Sequence, residues 1–164
     1  MTKEELTTQS PDDIRLQKYR SSLIASGGAM VLFALWTVLR SIVELDALLN
    51  YPEYREALTP LLASVVALGL FDLILKLYVG LSAKVEGLGR NKKRPYLVLG
   101  IIIACLSALS LVYMLIEFPT DCRIYGPIGP IVTMIVEATV LYAALDLVVS
   151  AVKARKLEKE MGRV

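Results

Sequence analysis

The stretch LLASVVALGLFDLILKLYVGL, residues 61–81, decides the fold. It is an apolar run broken only by Asp72 and Lys76, and it matches the ~20 residues that a helix needs to cross ~30 Å of hydrocarbon. Three more runs of similar length occur, so the expected spans are 21–43, 59–81, 96–116 and 128–152. The 164-residue chain is 55% hydrophobic with a mean hydropathy of +0.58, above the range of ordinary soluble domains. The composition therefore predicts an all-α polytopic membrane protein, a four-transmembrane-helix bundle over residues 21–152. A segment 1–20, read as helical, precedes it, and a basic tail, 153–164, follows.

The charges outside the spans set an orientation. Fourteen of the 18 Lys and Arg residues fall in the segment before the first span, in the connection KVEGLGRNKKR (84–94) and in the tail, whereas the other two connections hold only Arg55 and Arg123. The positive-inside rule then places both termini and the middle connection in the cytoplasm. The first run is longer than a signal-peptide core and no small-residue cleavage pattern ends it, so it reads as retained. Ser10-Pro11-Asp12-Asp13 has the form of a helix start, with Ser10 as N-cap and acids in the first turn, so a cytoplasmic helix is expected to run into the first span. Thr59-Pro60 and GPIGP (126–130) read as the starts of the second and fourth spans. The outer loops become LDALLNYPEYREAL and EFPTDCRIYGPIG, in which Tyr51, Tyr54 and Tyr125 suit an interfacial aromatic belt.

Composition also excludes much. There is no histidine, and Cys105 and Cys122 have neither metal-site spacing nor a CxxC arrangement, which leaves zinc, haem and thiol-redox chemistry without support. No glycine-rich phosphate loop or nucleophile triad is present, and no cofactor signature. Nucleic acid is not an expected partner. The lipid bilayer is, with anionic lipid head groups a further expectation at the basic middle loop.

What remains is a small set of ionisable side chains in or beside the spans: Arg40, Glu44, Asp72, Lys76, Glu117, Glu137 and Asp146. Arg40 and Glu44 are four apart near the outer interface and are expected to pair. Asp72 and Lys76 have the same spacing at greater depth, on a face that continues through Gly69, Gly80 and Ala83, where small residues let another helix approach. Glu137 stands near mid-membrane with no cation within four residues on its own helix, so the neutral acid is its less costly form there. Asp146 lies on a polar stripe with Thr139, Tyr142, Ala143, Ser150 and Lys153. Half a turn separates Glu137 from Asp146, which predicts one carboxylate in the chain's own bundle and the other against a second copy or a partner membrane protein. Counted from the basic ends, Lys76 and Asp146 are nearly level, and a bridge Asp72–Lys76–Asp146 between the second and fourth spans is expected.

A competing pattern is an internal repeat, since Asp72 and Asp146, and also Tyr51 and Tyr125, are 74 residues apart, with ALWTVLRSIVE resembling ALSLVYMLIE at about that offset. A repeat would make the two aspartates equivalent in depth. No known family is suggested by these motifs. The functional expectation is a small transporter or channel-like protein of a prokaryotic cytoplasmic membrane, using Glu137 with Asp72, Lys76 and Asp146. The alternative is a non-catalytic membrane subunit or scaffold held to its partner through buried charges, and a membrane-embedded enzyme ranks third.

Overall fold

The computed structural model describes residues 10–50, 58–90, 95–125 and 127–162. They form four long α-helices: α1 (Pro11–Asn50), α2 (Leu58–Gly87), α3 (Pro95–Tyr125) and α4 (Ile128–Glu160). Each contains a stretch long and apolar enough to cross a membrane, within Pro11–Ile42, Val66–Gly87, Pro95–Arg123 and Ile128–Glu160. The N-terminal part of α1, the end of α2, the start of α3 and the end of α4 gather at one end of the bundle, hereafter the basic end. The opposite ends of the four helices make the other, the loop end.

Local chemistry accounts for two of the helix ends. Ser10 starts α1: its carbonyl accepts from the amides of Asp13 and Ile14, and its hydroxyl oxygen lies 3.4 Å from the Asp12 amide. No break separates the N-terminal segment from the first apolar run, as the expected continuous helix requires. Gly89, with φ of 82°, takes the left-handed turn that closes α2, and its amide donates to the Glu86 carbonyl. Two ends run beyond the expected spans. α1 continues to Asn50, and α3 passes through Pro119 to Tyr125, so the stretch 117–125 that reads as loop is helical. Proline disturbs the turn before it and leaves the residues after it free to stay helical, which is why it marks a stop less reliably than glycine.

Small residues decide the packing. α1 packs most extensively on α2, α4 lies against both α1 and α3, and α2 and α3 touch only sparingly. A Cβ added at Gly27 would stand 2.7 Å from the Gly80 carbonyl oxygen, and one added at Gly80 would stand 2.7 Å from the Gly27 carbonyl oxygen. The backbones of α1 and α2 are therefore in direct contact there. Gly87 abuts the Arg20 backbone and Gly69 the Ser41 hydroxyl, so the small-residue face of α2 is the face that α1 covers. α4 presents Val140, Ala143, Ala144, Leu147 and Ala151 to the interior, packed with Leu23, Met30, Val79 and Tyr96. The outer surface is apolar all round: Leu32, Leu68, Ile116 and Ile128 are among many large side chains left exposed.

Candidate functional site

Thr37 on α1 organises the first group of charges. The Lys76 ammonium donates to Asp72 Oδ2 at 2.6 Å and approaches Thr37 Oγ1 at 3.4 Å. Thr37 Oγ1 in turn lies 3.0 Å from Asp72 Oδ2 and 3.1 Å from the Phe33 carbonyl, either of which its single proton can serve. Lys76 is 8% exposed, and its neutralisation by the carboxylate one turn away is what makes that burial affordable. The pairing follows directly from the i, i+4 spacing.

Asp146 takes different partners. Its Oδ2 accepts hydrogen bonds from the hydroxyls of Ser22, at 2.7 Å, and Ser26, both on α1. The expected Asp72–Lys76–Asp146 bridge is therefore not formed. Ser26 and Thr37 are eleven residues apart on α1, which at ~1.5 Å of rise per residue separates the two polar groups by about 16 Å. The same separation leaves the aspartates inequivalent, as the repeat would not have them. Counting residues from the basic ends says nothing of the direction of each side chain: the lysine runs toward the loop end, while Asp146 meets the N-terminal half of α1.

Glu137 joins the first group instead. Glu137, Asp72 and Lys76, with Arg40, Trp36 and Thr37, line one open-sided cavity of about 690 Å³ between α1, α2 and α4. It lies toward the loop end. Glu137 is half-buried and has no hydrogen bond or ion pair among the described residues, whereas Asp72 and Lys76 satisfy each other and Arg40 is already engaged. The two carboxylates of α4 do lie half a turn apart, but they flank one buried stripe: Asp146 on α1, Glu137 on the cavity. The expected partner of Arg40, the side chain of Glu44, lies outside the described residues, as do the side chain of Tyr125, Tyr51, Tyr54 and residues 91–94 of the basic connection.

Toward the basic end the helices are held together by direct contacts. The Gly27–Gly80 contact comes first, and then two ion pairs at the basic end that spacing did not suggest. Arg155 grips Glu86 with two hydrogen bonds of 2.6 Å, its guanidinium 5.7 Å from the centroid of the buried Tyr96 ring. Arg20 pairs with Glu158 at 2.5 Å. These contacts tie α1, α2 and α3 to α4, and nothing in the local sequence marks them, because their partners are 69 and 138 residues apart. The serines that hold Asp146 were also missed, although Ser22 and Ser26 share one face at i, i+4. No group of three or more potential metal ligands occurs among the described residues. No protein-family model, curated protein or solved structure matches the chain.

Proposed function

We propose that the chain is a small multi-pass membrane transporter or channel-like protein, with both termini in the cytoplasm and the cavity opening toward the outer side. One observation carries this reading: Glu137, Asp72 and Lys76 share a single cavity, and Glu137 alone of the three lacks a partner among the described residues. An unpaired carboxylate in an apolar helix is costly unless it meets water, a proton or a ligand. The apolar exterior and the grouping of Lys and Arg at the basic end support insertion with that end inside. In this orientation the two ion pairs and the Gly27–Gly80 contact form the inner floor, and a transport cycle has to part them. Asp146 belongs to that floor and holds α1 on α4.

A second reading uses the same vacancy of partners around Glu137. A non-catalytic subunit or scaffold would receive a polar group of a partner membrane protein there, through the side of the cavity that α3 does not line. Flux separates the two. Purified protein in proteoliposomes is expected to move protons or small cations down an imposed gradient, and Glu137→Gln is expected to abolish that movement while leaving the helical content intact. Absence of any flux from the wild-type protein, together with a partner that co-purifies and is lost on Glu137→Gln, would overturn transport in favour of the scaffold. For orientation, cysteines placed at Arg90 and Lys159 in a Cys-free background should react with an impermeant reagent only after permeabilisation, and one at Gly129 should react from outside.

A further inference from the structure

We infer that the cavity binds a monovalent organic cation, its charged head on the Glu137 carboxylate and its apolar body against Trp36 and Phe33. The inference rests on the reading of this cavity as the functional site and names what it would take. Three features of the lining carry it. First, Glu137 is the lining carboxylate with no partner among the described residues, since Asp72 is held by Lys76 and Thr37. An incoming positive charge therefore meets an acceptor that needs no ion pair broken. Second, with Arg40 on the wall already engaged, the remainder is mostly aliphatic and aromatic, with Phe33, Trp36, Leu68, Val136 and Val140. A metal ion commonly draws on several carboxylates at one point, and no group of three or more His, Cys, Asp or Glu occurs among the described residues. An ammonium group carrying hydrocarbon instead uses both kinds of surface at once. Third, a volume of about 690 Å³ is that of a site for a small organic molecule, which typically needs ~300–1,000 Å³.

Trp36 adds specificity and a signal. Its ring, 43% exposed, is on the same wall, and an indole face is the aromatic surface that attracts an alkylated ammonium most strongly. It is also the single tryptophan of the chain, so tryptophan emission comes from this wall of the cavity.

The test titrates full-length protein in phosphatidylcholine nanodiscs with benzyltrimethylammonium and with neopentylbenzene, its uncharged carbon isostere, following Trp36 emission. Saturable binding of the ammonium compound is expected, weakened about tenfold or more by Glu137→Gln, because a charge-assisted contact is lost. Glu137→Asp keeps the charge and should restore most of the affinity, which guards against a Gln variant that merely misfolds. Trp36→Leu, followed by calorimetry, should weaken binding roughly two- to five-fold. Equal affinity in wild type and Glu137→Gln, no saturable response in wild type, or equal Glu137-dependent binding of neopentylbenzene would each overturn the inference. Binding and flux fail separately. Glu137-dependent binding of the ammonium compound without flux would uphold the inference and overturn transport. Glu137-dependent proton flux with no binding of the ammonium compound would do the reverse.

Discussion

Gly27 and Gly28 are adjacent in sequence and opposite in surroundings, which makes alanine at each a direct probe of how α1 meets α2. At Gly27 an added Cβ would lie 2.7 Å from the Gly80 carbonyl oxygen and 3.1 Å from the Lys84 amide nitrogen, whereas at Gly28 nothing stands within 4 Å. Both changes gain the same intrinsic helix preference of alanine over glycine, up to ~1 kcal/mol, and that gain cancels when the two variants are compared. The difference left is steric. The atoms met at Gly27 are backbone, which cannot rotate away, so the helices have to separate by several tenths of an ångström and loosen the contacts on either side. Overpacking of this kind costs ~1–3 kcal/mol, and Gly27→Ala should be less stable than Gly28→Ala by about that amount. A double variant, Gly27→Ala with Gly80→Ala, should lose much less than the sum of the two single losses, because the separation forced by the first Cβ makes room for the second. Equilibrium unfolding in mixed micelles, followed by circular dichroism, measures all four. Equal stability of Gly27→Ala and Gly28→Ala, or strict additivity of Gly27→Ala and Gly80→Ala, would refute a backbone contact at this crossing.

The charges give three further expectations. Losses from Lys76→Ala and Asp146→Ala should add, since the two side chains have separate partners on α1, while Lys76→Ala and Asp72→Ala should couple by up to ~1 kcal/mol, a figure kept low because the Asp72 side chain is 38% exposed; a double-mutant cycle on detergent-solubilised protein reads both. Removing both hydroxyls with Ser22→Ala and Ser26→Ala should destabilise by ~1–3 kcal/mol, and Asp146→Ala should relieve most of that loss because no unsatisfied carboxylate remains. Arg155→Lys should fail to replace arginine, losing one of the two hydrogen bonds to Glu86 and the flat contact over Tyr96, with a fall in thermal stability in detergent close to that of Arg155→Met.

Much of what depends on one helix at a time was legible in the residues, though not the continuation of α1 to Asn50 or of α3 through Pro119 to Tyr125. The apolar length of 61–81 and its three counterparts predicted four long helices, Ser10-Pro11 predicted where α1 begins, and the i, i+4 spacing predicted that Lys76 would meet Asp72. A helix turns ~100° and rises ~1.5 Å per residue whatever surrounds it, so such relations survive without knowledge of the neighbours. What the residues alone could not decide is how the helices are rotated and tilted against one another. Glycines at 27, 69, 80 and 87 let α1 settle on α2, and that contact brought Thr37 to the Asp72–Lys76 pair and left Ser22 and Ser26 for Asp146. The same packing turned Glu137 toward a cavity shared with Asp72, and set Arg155 on Glu86 and Arg20 on Glu158 across 69 and 138 residues of chain. Those contacts depend on the azimuth of each helix, which is fixed only when small residues on one backbone find the surface of another.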